Sequence, residues 1–223
     1  MSEIPPFEII RASRRSISIQ ISKTYGLVVR APFSVPEDII HAFVDRKSDW
    51  IMKHLARHTE QRERKNNTLY YLGHIYPFEY NLLQKETVTH SGGMFTFSGK
   101  VKDSGMEQAA LTRWYRKQAQ IYLSERVYHF SGKHELKHRK IRITSAVTRW
   151  GSCNGHNDLN FPWRLLMAPK EIIDYVVVHE LSHTVHKNHS KYFWNLVESI
   201  IPDWKAHRRY LKEEGWRYAL PKF

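Results

Sequence analysis

The chain has 223 residues, 41% of them hydrophobic, which is enough for one ordinary domain or two small ones with a buried core and excludes global disorder. One cysteine, Cys153, excludes an intrachain disulfide and a cysteine-rich structural zinc site. The formal charge of +13 favours polyanionic partners such as nucleic acid or nucleotides, although a solvated basic surface gives the same balance.

No apolar run approaches the ~18 residues that span a bilayer, so no membrane partner is expected. The opening MSEIPPFEII lacks the basic-then-apolar pattern of a signal peptide, so the expected location is cytoplasmic.

In the first third, Ile17, Ile19 and Ile21 alternate with Ser18 and Gln20, the period of a strand. A turn around Thr24-Tyr25-Gly26 leads to a second strand, Gly26 to Ala31. Ser34-Val-Pro-Glu37 reads as a capping box opening a helix that carries Ile40, Phe43, Val44, Ile51 and Leu55. That helix decays into the charged stretch Ala56 to Asn67, a candidate linker or a frayed helix end.

Strand texture returns from Leu69 to Ser98, with turns at Gly73-His74 and Ser91-Gly92-Gly93. A long helix starts near Ser104. Its stripe of Leu111, Trp114, Tyr115, Ala119 and Tyr122 packs inward while Arg113, Arg116 and Lys117 face away. Ile141 to Ile143 is a strand, and Asn154-Gly155 turns between two short extended pieces in Thr148 to Leu166. Pro169 and Glu171 open the next helix.

That helix carries His179-Glu180-x-x-His183 directly after the apolar run Tyr175 to Val178. Residues i and i+4 share a helix face, so the two imidazoles can share one cation. Glu180 sits beside that face, where its carboxylate reaches a metal-activated water rather than the metal. Two ligands and a general base are the parts a zinc hydrolase needs.

A catalytic zinc also takes a third protein ligand. His186 returns to the same face but overshoots, about 10 Å along the axis from His179 at ~1.5 Å rise per residue. His189 can join only if the chain turns back, and Lys187-Asn188 is a place to turn. Ser190 then caps a second helix, Tyr192 to Ile200, with Phe193, Leu196, Val197 and Ile200 on one side. Glu198, on that helix, is a further candidate.

These residues resemble the YgjP-like family of bacterial metal-dependent hydrolases, often labelled metallopeptidases. The resemblance is carried by RWGSC (Arg149 to Cys153), Leu159-Asn160, Leu165 to Pro169, DYVVVHELSH (Asp174 to His183) and HSKYFW (His189 to Trp194), and more loosely by VRAP (Val29 to Pro32) and YLGHIYPFEY. The motif segment is also similar to the WLM and SprT-type zinc peptidases, which cut proteins attached to DNA.

The resemblance implies His179, His183 and His189 as Zn2+ ligands and Glu180 as catalytic base. The ligand spacing matches the metzincin one, but His186 replaces the metzincin glycine and no Met-turn is evident.

Zinc peptidases of this type hold an extended substrate along an edge strand by β-augmentation, and Thr148 to Leu166 is the candidate edge. Arg149 and Asn160 could there face substrate or an oxyanion. Equally, Trp150, Cys153 and Leu159 could be core, with Gly151 and Ser152 a bulge.

The expected architecture is α+β. A β-rich region with one helix spans 1–100. A zincin-like metallopeptidase domain, with antiparallel edge strands and an active-site helix, spans 104–223. The expected function is a zinc-dependent peptidase acting on protein or peptide. The rivals are a metal-dependent nucleoside triphosphate pyrophosphohydrolase and a DNA-associated binding protein with a structural metal site.

Overall fold

The computed structural model describes residues 4–22, 26–63, 68–82, 86–99 and 104–218. The turn expected at Thr24-Tyr25 lies outside the described residues. The chain divides into two compact units, Met1–Arg64 and Lys65–Phe223. The division thus falls inside the charged stretch Ala56 to Asn67, not at residues 100–104. The strands after residue 67 pack their own core against the following helix, which binds them to the second unit.

In the first unit, strands β1 (Phe7–Ala12), β2 (Ser18–Ser22) and β3 (Gly26–Pro32) form a sheet in the order β1-β3-β2. β1 runs parallel to β3 and β2 antiparallel. β1 was not anticipated, because Phe7-Glu8-Ile9-Ile10 lacks strict alternation. Leu27, Val29 and Ala31 of β3 are buried with Ile40, Val44 and Ile51.

Those last three residues belong to two helices, α1 (Glu37–Asp45) and α2 (Ser48–Glu63), where the sequence suggests one. At the break the Lys47 amide bonds the Val44 carbonyl, an i+3 bond that tightens the turn. The capping box does not form. Pro36 is the N-cap and no side chain caps the helix, because the first turn begins too late for Ser34 to reach it.

In the second unit, β4 (Thr68–Tyr71), β5 (His74–Leu82), β6 (Thr87–Ser91) and β7 (Met94–Gly99) form a sheet in the order β4-β5-β7-β6. Leu69, Phe78, Phe95 and Phe97 bury one face against Ala110 and Leu111 of helix α3 (Ser104–Lys133). Further along α3, Tyr115, Ala119, Leu123 and Val127 recur at helical spacing and enter the main core. Tyr122 of the expected stripe is half-buried instead.

A second sheet has β8 (Lys140–Thr144) and β9 (Ser152–Cys153) on either side of β10 (Asp158–Pro162). β8 pairs parallel to β10 and β9 antiparallel. Only one edge is therefore antiparallel, and it is two residues long. Asn160 lies on the central strand.

Helix α4 (Lys170–Ser182) is the hub of this unit. Ile172, Ile173, Tyr175, Val176, Val177, Val178 and Leu181 are all buried, as expected of a helix that is apolar nearly all round. Arg126 of α3 holds it with a two-pronged pair to Asp174, at 2.7 and 2.9 Å. Helices α5 (Lys191–Ile200) and α6 (Trp204–Glu214) complete the unit. Among the described residues, no helix is long and apolar enough to cross a membrane.

The start of α4 is pinned by the β4–β5 turn. Leu72 and Gly73 donate to the carbonyls of Leu166 and Met167, at 2.9 and 3.2 Å. Gly73 has φ +84°, and a Cβ there would lie 2.8 Å from Pro169 Cα. Gly73→Ala should therefore lower stability by about 1–3 kcal/mol, readable in a denaturant titration.

A second check is electrostatic. Asp158, at 1% exposure, receives two hydrogen bonds of 2.7 Å from Arg139, which hold its carboxyl down at about 2. A depressed carboxyl stabilises the fold above its ordinary value of 3.8, and that contribution is lost as pH falls toward 2. Asp158→Asn should lower Tm at neutral pH, with a gap to the parent that narrows as pH falls through this window.

Candidate metal centre

Helix α4 ends at Ser182, one turn before the sequence suggests, and His183 is its C-cap. The Thr184 amide bonds the Leu181 carbonyl at 2.9 Å, and the Thr184 hydroxyl takes the same carbonyl at 2.7 Å. This i+3 closure ends the helix and starts the reversal. Asn188 Oδ1 accepts from the Ser190 amide at 3.3 Å, an Asx turn. Ser190 then caps α5, its hydroxyl accepting from the Phe193 amide at 3.5 Å.

The reversal returns His189 to α4. Ligand nitrogens of His179, His183 and His189 all lie within 4.8 Å of one another. Nε2 of His179 and Nε2 of His189 are 3.1 Å apart. Phe193, fully buried, packs against all three rings at centroid distances of 4.9, 4.4 and 4.8 Å.

The other two candidate ligands are elsewhere. His186 stacks on Tyr192, and Glu198 pairs with Lys205 at 3.8 Å. The backbone of His186 does take part, because its carbonyl meets His183 Nδ1 at 3.0 Å. A carbonyl can only accept, so Nδ1 carries the proton and Nε2 keeps its lone pair for a metal.

A metal fits this donor set. Between two ring nitrogens 3.1 Å apart there is room for one proton, and the buried Nδ1 of His179 has no hydrogen-bond partner. Tetrahedral nitrogen ligands at 2.0–2.1 Å from an ion stand about 3.3 Å apart, close to the 3.1 Å between His179 and His189. Burial, then the neighbouring histidines and Arg208, hold His179 down at about 3, so its ring is neutral as a ligand must be.

Glu180 is 6% exposed. Burial lifts its carboxyl to about 8, against the opposing pull of Arg149. Gly151 lies directly on it: a Cβ at that position would sit 2.5 Å from Glu180 Oε1 and 2.6 Å from its Cγ. The backbone just ahead of β9 thus forms one wall of the Glu180 site. A cleft of about 300 Å³ opens beside it, lined by Trp150, Gly151, Tyr175, Val176, His179, Glu180, Arg208, Leu211 and Lys212.

Of the two residues considered for substrate contact, Arg149 is exposed and its charge reaches Glu180. Asn160 instead braces the edge strand from within the sheet, donating to the Ser152 hydroxyl at 3.3 Å and carbonyl at 3.5 Å.

A family model described as "YgjP-like, metallopeptidase domain" matches residues 15–214. The chain belongs to the YgjP-like metallopeptidase family. It is a metal-dependent, peptidase-type hydrolase domain. No curated protein matches it. Among solved structures, it is similar to the crystal structure of the metallopeptidase zymogen of Pyrococcus abyssi abylysin, at 19% identity and a TM-score of 0.38, over 42% of this chain and 95% of that one.

In this YgjP-like domain the sequence did not mark Gly151, Trp150, Arg208 or Lys212 as site residues. Gly151 had a signal, a glycine inside RWGSC, which was equally readable as a bulge. Gly151→Ala should displace the Glu180 carboxylate and leave the three histidines in place. The expected result is unchanged metal content with peptide hydrolysis reduced at least about tenfold, measured by metal analysis beside a peptidase assay.

Proposed function

We propose that this chain is a zinc-dependent metallopeptidase in which Glu180 is the general base. The observation that carries this reading is the placement of a buried carboxylate next to three convergent imidazoles at the edge of an open cleft.

His179, His183 and His189 would hold the ion. Zinc, when bound, supplies Lewis acidity that acidifies water and polarises a carbonyl. Glu180 takes a proton on a carboxylate oxygen as the oxygen of water attacks the peptide carbonyl carbon. It returns that proton to the leaving nitrogen as the C–N bond breaks. Arg149, two residues before Gly151 on the wall of the Glu180 site, would offer its guanidinium to the negative charge that develops on the carbonyl oxygen.

β9 is the edge of its sheet, and Gly151 sets the preceding backbone against Glu180. An extended substrate pairing along β9 would bring its scissile bond to this carboxylate, the arrangement of a zincin. The hydroxyl and carbonyl of Ser152, both bonded by Asn160, keep that edge in place. We place the work of the protein in the cytoplasm, where its single thiol, Cys153, stays reduced.

Two variants test the division of labour. Glu180→Gln should keep stoichiometric zinc and lose peptide hydrolysis by about 10²-fold or more; full activity would sink the mechanism. His189→Ala should lose most of the bound zinc, measured by equilibrium dialysis with metal analysis, and retained zinc would redirect the third ligand.

A further inference from the structure

The cleft beside Glu180 has two kinds of wall. Trp150, Val176 and Leu211 make it apolar, and Arg208 and Lys212 stand exposed at its rim. The two cations are one turn apart on α6 and share a face with Leu211. Among the described residues neither is paired with a carboxylate. Arg208 lies 5.3 Å over the Trp194 ring, which itself stacks on His189. Its charge is therefore held on the side of the metal centre, on the same cleft as His179 and Tyr175.

Among the described residues, Glu180 is the one acidic group that lines the cleft. The acidic residues Glu213 and Glu214 line a separate cavity with Glu171 and Arg217. The cleft thus pairs an apolar wall with an unneutralised cationic rim. Its volume of about 300 Å³ is at the low end for small-ligand pockets, sized for one residue rather than for a folded surface.

We propose that this cleft selects a carboxylate of the substrate, from an acidic side chain or a free chain terminus next to the scissile bond, with Arg208 and Lys212 as the recognising cations. The apolar stem of such a residue lies against Trp150 and Leu211, and its charge meets the rim. A lysine at the same position meets two like charges. This assignment rests on the peptidase reading above.

The test uses the full chain loaded with zinc. A peptide library read by mass spectrometry locates cleavage. Matched peptides then carry Glu, Gln or Lys at the position beside the cut, each with a free or an amidated C-terminus. The expected kcat/KM for Glu over Gln, or for free over amidated terminus, is about tenfold, and the larger ratio tells which carboxylate is read.

In Arg208→Gln/Lys212→Gln that ratio should fall to about one. Lys205→Gln, which removes a cation of α6 that pairs with Glu198, should keep it. Equal rates for carboxylate and amide peptides, or a ratio that survives the double substitution, would overturn the assignment.

A binding arm separates this from failure of the peptidase reading. Anisotropy titrations of labelled peptides onto Glu180→Gln should show the same tenfold preference without turnover. That preference in a protein that cleaves no peptide would support the cleft assignment and refute the peptidase. Tight binding of a nucleoside triphosphate, with no discrimination between acidic and amide peptides, would overturn the cleft assignment.

Discussion

Helix α4 is buried on nearly every side, and past its first turn, beyond the Asp174 carboxylate that Arg126 holds, its polar groups gather in the last turn, where the helix meets other elements. Its seven buried apolar residues leave the C-terminal turn as the place where His179 and Glu180 meet anything but hydrocarbon. Burial of that turn sets the chemistry. It keeps His179 neutral and lifts the Glu180 carboxyl well above its ordinary value. The rest of the second unit is organised around holding this helix, from the Arg126–Asp174 pair on one flank to the Gly73 turn at its start.

The early end of α4 is what allows a third histidine. A helix running on through His186 would carry His189 away. Termination at Ser182, with Thr184 bonding twice to the Leu181 carbonyl, bends the chain within seven residues of His183. The same bend turns the His186 carbonyl onto His183 Nδ1, so one backbone reversal both delivers a ligand and fixes the tautomer of another. Phe193, in the first turn of α5, then packs against all three rings, so the helix that follows the bend also supports the ligands.

Much of this was legible in the sequence because it depends on local periodicity. The i, i+4 spacing of His179 and His183, the turn at Lys187-Asn188 and the Ser190 cap all follow from residue type and position. The exact end of α4 was not legible, because it depends on i+3 bonding that no single residue announces. The charged stretch Ala56 to Asn67, a candidate linker in the sequence, holds the division between the units, but the sequence grouped the strands after it with the first unit. The strands from Thr68 to Gly99 look like a continuation of the first strands, and only their packing on Ala110 and Leu111 assigns them to the second unit. Gly151, Arg208 and Lys212 are brought to the site by tertiary contact, over sequence distances where periodicity carries no information.

The metal loop and the edge strand are also tied to each other. Asn157, held at φ +61°, reaches the Thr184 carbonyl with its amide at 3.5 Å, and its oxygen accepts from Lys187. Lys187 also reaches the Asn154 carbonyl at 3.3 Å, in the turn that joins β9 to β10. The turn that returns His189 and the turn that shapes the edge strand are thus one bonded structure. An extended chain settling on β9 would push on the same network that holds the third ligand, so strand geometry and ligand geometry cannot vary independently. In a fold where a carboxylate touches the backbone of Gly151 on one side and neighbours a ligand on the other, that linkage keeps substrate, base and ligands in a single register.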